Sequence, residues 1–401
     1  MDSHIALSSS PARKESLFAN PRIYALSTIG LSLLSAMTSI LAPLLLSPPD
    51  FGAFVLFASL FQYAAKFDLG LSDIADHFGT RNDINDAITN DFHSARFIIG
   101  LVVMTITVIG FVAFSILVNF DKNAFSAFLA TVSGSLAMIA VGPVAWARAS
   151  NDIERFSKDA LYLQLGMTLP RLLGLLIGGI IGAYAVLAFW YSFFVIRLYR
   201  SLTLNLLSFE HVIELTSQTL PYFLLSSLWL IFLISPRWIS AAVSPFATFP
   251  LLAFAFNISA IIIGTLSTIA QAYYPRFFIF HRRNQKQDCE TVIMRQGLHL
   301  ITFAFCAGLI GIPVLPIVIG KFFPSFYLSI PLTLLMGIGL IPLSLSTWFM
   351  PIFIALQKNP YKASCLLYIP LLPFLIFSMV IGNAFCAESG QIIGFIVTTY
   401  I

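Results

Sequence analysis

Long apolar runs separated by short polar links fill the chain from residue 23 to its end. Twelve of them meet or approach the roughly 20 residues that a helix needs to cross about 30 Å of hydrocarbon. They are 23–46, 51–71, 96–119, 124–147, 160–178, 180–197, 219–240, 248–271, 298–319, 326–354, 363–383 and 389–401. Inside each run the apolar residues are continuous rather than alternating, which excludes the strands of a membrane barrel. The pattern predicts an all-α polytopic membrane protein of about 12 transmembrane helices. The last run is the shortest: it begins at Ser389, after an outer loop that ends at Glu388, so the final helix reads as short or truncated.

Composition removes the soluble alternatives. Of 401 residues, 58% are hydrophobic and only 10% charged, and the mean hydropathy is +0.89. Soluble domains lie near 45–50% apolar and about 25% charged. A soluble enzyme, a disordered regulator and a nucleic-acid binder are therefore excluded. Cys289, Cys306, Cys365 and Cys386 show no paired spacing, so they read as small apolar side chains and not as a disulfide framework or metal site. Residues 1–22 are polar, and no secretory signal opens the chain.

The basic residues orient the spans. With the N-terminus inside, seventeen of the 22 Lys and Arg fall on the cytoplasmic side, and only Lys122 and Lys321 fall outside. This asymmetry and the even number of helices place both termini in the cytoplasm. The outer loops are short and carry Asp50, Asp121 and Glu388 singly. They lack the catalytic loop that a membrane enzyme of glycan assembly would need, so the chain reads as a non-enzyme that requires no cofactor.

A faint repeat divides the chain. Ser47-Pro48 opens the second span and Ser244-Pro245 opens the eighth, 197 residues later; Phe57-Ala58 and Phe254-Ala255 match at the same offset. The expected organisation is an N-terminal six-helix half, 1–210, and a C-terminal six-helix half, 211–401. Two such six-helix bundles around a central cavity are a common transporter architecture.

Charges inside a span cost at least ~2.5–3.5 kcal/mol each and call for a reason. Four qualify, Lys66, Asp68, Arg171 and Arg237, and their sum is positive, so a cavity they lined would attract anions. Arg171 lies about 18 Å along its helix, too deep to reach water easily; its partner is either a protein group, with Asp68 the nearest carboxylate by type, or an anionic cargo. Lys66 shares a helix face with Gln62 and Asp73, yet it also lies within snorkelling reach of the headgroups. Asp68 points about 200° away on the same helix, where an ion pair with a neighbouring helix at the cytoplasmic mouth is the plainer role. Arg237, near the outer end of its span, suits either snorkelling or the cavity. The candidate substrate-binding residues are thus Arg171, Lys66, Arg237, Asp68 and Gln62. The Arg-rich link 272–297 reads as the positive-inside signal, and the Asp-rich link 72–92 as a solvated loop with no metal. Gly178-Gly-Ile-Ile-Gly182 reads as close helix packing or a tight turn.

The stretch from Pro43 through Ser47-Pro-Pro-Asp-Phe51-Gly52, followed by Phe67-Asp68-Leu69-Gly70-Leu71-Ser72, resembles the first two helices of bacterial polysaccharide flippases of the O-antigen type. These belong to the multidrug/oligosaccharidyl-lipid/polysaccharide exporter superfamily. Ser235-Pro236-Arg237-Trp238, Ala272-Tyr273-Tyr274-Pro275-Arg276-Phe277, and Gly320-Lys321-Phe322-Phe323 leading to Ala355-Leu356-Gln357-Lys358 extend the resemblance over nearly the whole chain. Where such proteins often carry an acidic residue before the Arg, this chain has Pro236, and Thr248-Phe249-Pro250 replaces their usual Gly-x-Tyr.

The resemblance implies a V-shaped pair of six-helix bundles working by alternating access in the cell inner membrane. The implied cargo is a lipid-diphosphate-linked oligosaccharide, moved from the cytoplasmic to the outer leaflet for surface polysaccharide (lipopolysaccharide O-antigen) biosynthesis. The implied partners are this lipid-linked anionic glycan, membrane lipids and other polysaccharide-assembly proteins, with no nucleic acid. The alternative is a cation-coupled multidrug or metabolite exporter. A carrier of organic cations needs a buried carboxylate, and Asp68 is the one acidic residue that falls inside a span.

Overall fold

In a computed structural model of the chain, residues 36–71, 86–117, 122–149, 153–200, 209–245, 247–271, 277, 280–281, 285–356 and 360–400 are described. Every regular element among them is helical. The order is α1 (Ala36–Leu45), α2 (Pro48–Lys66), α3 (Asp86–Leu117), α4 (Lys122–Ala149), α5 (Ile153–Tyr199), α6 (Phe209–Val243) and α7 (Phe249–Gln271). Then follow α8 (Lys286–Phe322), a 3₁₀ turn (Pro324–Ser329), α9 (Ile330–Leu356) and α10 (Pro360–Tyr400). Among the described residues, seven helices are long and apolar enough to cross a membrane. The beginning of the first span, Asp73 and most of the Asp-rich link, and much of the Arg-rich link lie outside the described residues.

Local chemistry explains the breaks. Ser47 caps α2, its hydroxyl accepting from the Asp50 N–H at 3.4 Å, with prolines in the first helical positions where no N–H is needed. The second Ser-Pro pair, Ser244-Pro245, likewise stands between α6 and α7.

Two helices are too long for one crossing, and both fold back on themselves. In α5 the helical backbone fails at Gly178 (φ −134°, ψ 19°) and Gly179 (φ 58°, ψ −141°). In α10 it fails in nearly the same way at Cys386 (φ −135°, ψ 21°) and Ala387 (φ 47°, ψ −133°). Residues eight apart in a straight helix would be about 12 Å apart. Here Gly174 packs against the Gly182 backbone, and Gly382 against that of Gly390. Each long helix is therefore a hairpin of two spans joined by a two-residue turn. The Gly178 to Gly182 stretch, expected to serve close helix packing or a tight turn, does both: the turn falls at Gly178-Gly179, and Gly182 packs against Gly174. Counting both hairpins as two spans, the described helices fall on each of the twelve apolar runs, the first described only from Ala36.

Packing repeats as well. In the first half α4 packs on α5, α2 and α3; in the second half α9 packs on α10, α7 and α8, with α6 laid along α10. The halves meet mainly through α2, which touches α7 and α6. At its Ser47 end the junction is aromatic: Phe51 and Phe254 each pack on Phe326, at 5.3 and 4.7 Å between ring centroids, and all three are buried. At the other end the Thr219 hydroxyl donates to the Leu69 carbonyl, and Phe67 stacks edge-on against Phe223. Polar groups sit between these two closures, while Ile106, Ile177, Phe189 and Phe385 point outward, as a lipid-facing surface requires.

Candidate functional site

Two adjoining cavities open between the halves in the middle of α2. One, of about 270 Å³, is lined by Gln62 from α2, Gln164 and Arg171 from α5, Arg237 from α6, and Asn257 and Gly264 from α7. Gln164 and Arg171 are seven residues apart and share one helix face. The second, of about 260 Å³, lies deeper in the C-terminal half and shares Gln62, Arg237, Ala260 and Gly264 with the first. Of the predicted site residues, the fold thus brings Gln62, Arg171 and Arg237 together at one cavity.

Arg171 does not reach the headgroups; it is 8% exposed. Its Nη2 donates to the Tyr184 hydroxyl at 2.9 Å, which passes the hydrogen bond on to the Phe54 carbonyl at 3.4 Å. The guanidinium lies over the Phe54 ring at 4.6 Å and near the Tyr184 ring at 5.1 Å. Arg237 is 6% exposed, and its Nη1 donates to the Ser59 hydroxyl at 3.4 Å. The Nε of both arginines and the Oε1 of Gln164 are buried without a hydrogen-bond partner. No described carboxylate pairs with either guanidinium. Among the described residues, two cations therefore face one cavity with neutral partners only. Their contacts on α2, Phe54 and Ser59, are five residues apart, about 7.5 Å along the axis.

Asp68 has a different role from the one it would have at a substrate site. Its Oδ2 pairs with Arg96 Nη1 at 2.8 Å, its Oδ1 accepts from Gly70 N–H at 3.1 Å, and both side chains are 1% exposed. The Arg96 Nε in turn donates to the Met138 carbonyl at 2.8 Å. This is the inter-helix ion pair named as the plainer reading, and it corrects the idea of Asp68 as a partner of Arg171. Arg96, the first residue of the predicted 96–119 run and one of the seventeen basic residues counted as cytoplasmic, is fully buried within α3. Lys66 ends α2 half-buried and is not among the residues lining either cavity.

Sequence reasoning missed Gln164, Asn257 and Tyr184. The first two were legible as polar residues inside apolar spans, and Gln164 repeats at helical spacing from Arg171. Tyr184 reaches Arg171 only because the hairpin closes, and no spacing rule for a straight helix finds it.

No family model and no curated protein matches the chain. Solved structures do. An outward-facing multidrug resistance MATE family transporter of the MOP superfamily aligns at TM-score 0.66 and 16% identity, covering 95% of this chain and 93% of that one. It shares that transporter's fold. An inward-facing MATE transporter of the MOP superfamily aligns at TM-score 0.60 and 16% identity, with 94% of each chain covered. A MOP superfamily transporter from Pyrococcus furiosus Vc1, described as having a binding pocket of reverse polarity, aligns at TM-score 0.60 and 13% identity, covering 98% and 96%. The superfamily named by the sequence resemblance is thus also the one whose fold the chain adopts.

Proposed function

We propose that this protein is an alternating-access flippase that moves a lipid-diphosphate-linked oligosaccharide from the cytoplasmic to the outer leaflet of the inner membrane, with both termini cytoplasmic, for surface polysaccharide assembly. The observation that carries the reading is the pair Arg171 and Arg237, buried at one cavity between the halves without a carboxylate partner among the described residues. Buried cations without a protein counter-ion suit an anionic cargo, because guanidinium and phosphate oxygens form strong charge-assisted hydrogen bonds. The same geometry disfavours an organic cation, which would meet like charge in a site of low dielectric.

The second reading, a cation-coupled multidrug or metabolite exporter, draws its support from the MATE structures whose fold the chain shares. A depletion experiment separates the two. Without the protein, lipid-linked glycan should accumulate at the cytoplasmic leaflet while its synthesis continues, and Arg171→Ala should fail to rescue while reaching normal abundance. Normal surface polysaccharide in cells lacking any second flippase would overturn the reading, as would full rescue by Arg171→Ala.

A further inference from the structure

The two cavities differ in character. The one holding Arg171 offers Gln62, Gln164, Asn257 and both guanidiniums. The other is walled chiefly by Trp229, Leu233, Phe256, Ile263, Met336 and Phe395, and its polar side chains are confined to Ser259, Ser267 and the shared Gln62 and Arg237. Phe256, Met336 and Phe395 belong to the buried apolar core of the C-terminal half, so the wall is backed by hydrocarbon and not by water. Gly264 lines both, and a Cβ built on it meets no heavy atom within 4 Å, so no side chain walls the one from the other at that point. The resulting space has a cationic lobe, a guanidinium at the seam, and an apolar lobe beyond it.

We infer that the apolar lobe of the C-terminal half is the subsite for the hydrocarbon chain of an amphiphilic anion whose charged head lies between Arg171 and Arg237. The inference rests on the reading of this cavity as the anion site and adds where the chain goes. Charge complementarity fixes the head, and continuity past Arg237 then leaves the apolar lobe to the segment attached to it. A saccharide there would leave its hydroxyl groups without partners along the Leu, Ile and Phe walls, and unsatisfied buried polar groups are disfavoured. A hydrocarbon chain has no hydrogen bonds to forfeit on entering and gains contact with tightly packed side chains.

The experiment measures binding to the full-length protein in lipid nanodiscs, with empty nanodiscs as blank, using inorganic diphosphate and geranyl diphosphate as probes. Geranyl diphosphate should bind at least about tenfold more tightly. Ile263→Asn and Leu233→Asn, on two different helices, should each reduce that ratio to less than about threefold while inorganic diphosphate binding stays as in the wild type. Either variant alone suffices if the other does not fold. Equal binding of the two probes, or a ratio untouched by both variants, overturns the subsite; diphosphate binding that still depends on Arg171 would then leave the transport reading standing. Diphosphate binding that is absent, or indifferent to Arg171→Ala, overturns both. If glucose 1-phosphate gains over inorganic phosphate and the gain vanishes in Ile263→Asn, the lobe belongs to the glycan and the inference falls.

Discussion

The hairpins of α5 and α10 have almost the same backbone and opposite chemistry. Their turns lie 208 residues apart, at Gly178-Gly179 and Cys386-Ala387, and the dihedral angles agree to within about ten degrees. The close pairs Gly174/Gly182 and Gly382/Gly390 stand at the same offset. Arg171 and Tyr184, which bridge the first hairpin, have Met379 and Ile392 as positional counterparts in the second, both fully buried in an apolar cluster. The second hairpin is laced by neutral groups instead: Ser378 donates to the Gly394 carbonyl at 3.1 Å, and Gln391 to Asn383 at 2.6 Å. The repeated part is thus scaffold, and the part that differs is what each hairpin carries: a buried guanidinium bonded to a tyrosine in the first, apolar and neutral side chains in the second.

The sharpest way to break this comparison is to fill a hairpin. A side chain at Gly174 would run into the Gly182 carbonyl, and one at Gly382 into that of Gly390. Backbone on the far side has no rotamer by which to yield, so Gly174→Leu and Gly382→Leu should each cost more than about 4 kcal/mol. Size-exclusion profiles of the solubilised variants should show no monodisperse protein in either case. A tolerated Gly382→Leu would mean that the second hairpin is not the structural equivalent of the first.

The next effect separates a structural charge from a cavity-facing one. Asp68→Ala strands the buried Arg96 and should lower stability by about 3–5 kcal/mol. Arg171→Ala loses one hydrogen bond to Tyr184, about 1 kcal/mol, and its contacts with the Phe54 and Tyr184 rings, about 0.5–2 kcal/mol. It also removes a buried charge that costs about 2.5–3.5 kcal/mol. Its net effect on stability should lie between a loss of about 0.5 kcal/mol and a gain of about 2 kcal/mol, measured as abundance and thermal unfolding in detergent. Equal destabilisation by the two variants would assign Arg171 to the scaffold.

The smallest effect lies at the turns themselves. Ala387 and Gly179 share a positive φ that side chains rarely adopt, the conformation of a glycine position in a tight turn. Ala387→Gly should raise stability by about 1 kcal/mol, and Gly179→Ala should lower it by a similar amount. A shift of the unfolding midpoint in the same direction for both would show that the two turns are not alike.

Much was determined by the sequence itself. Apolar length, charge placement and the Ser-Pro breaks prescribe the twelve spans, because backbone amides in hydrocarbon have no partner except their own helix. The cost of charge in lipid likewise singles out Arg171 and Arg237, together with Lys66 and Asp68. Both reversals were legible as breaks between apolar runs, the second in the outer loop that ends at Glu388; its geometry was not, because Cys386-Ala387 carries no turn residue and only the fold holds Ala387 in that conformation. Nor does sequence tell a structural carboxylate from a binding one. Asp68 and Arg171 look alike as charges in spans, and only the approach of α3 gives Asp68 its Arg96 while the hairpin gives Arg171 a neutral tyrosine. Which side chains share a cavity depends on how helices far apart in the chain cross, and that is set by packing between them rather than by any pattern within one.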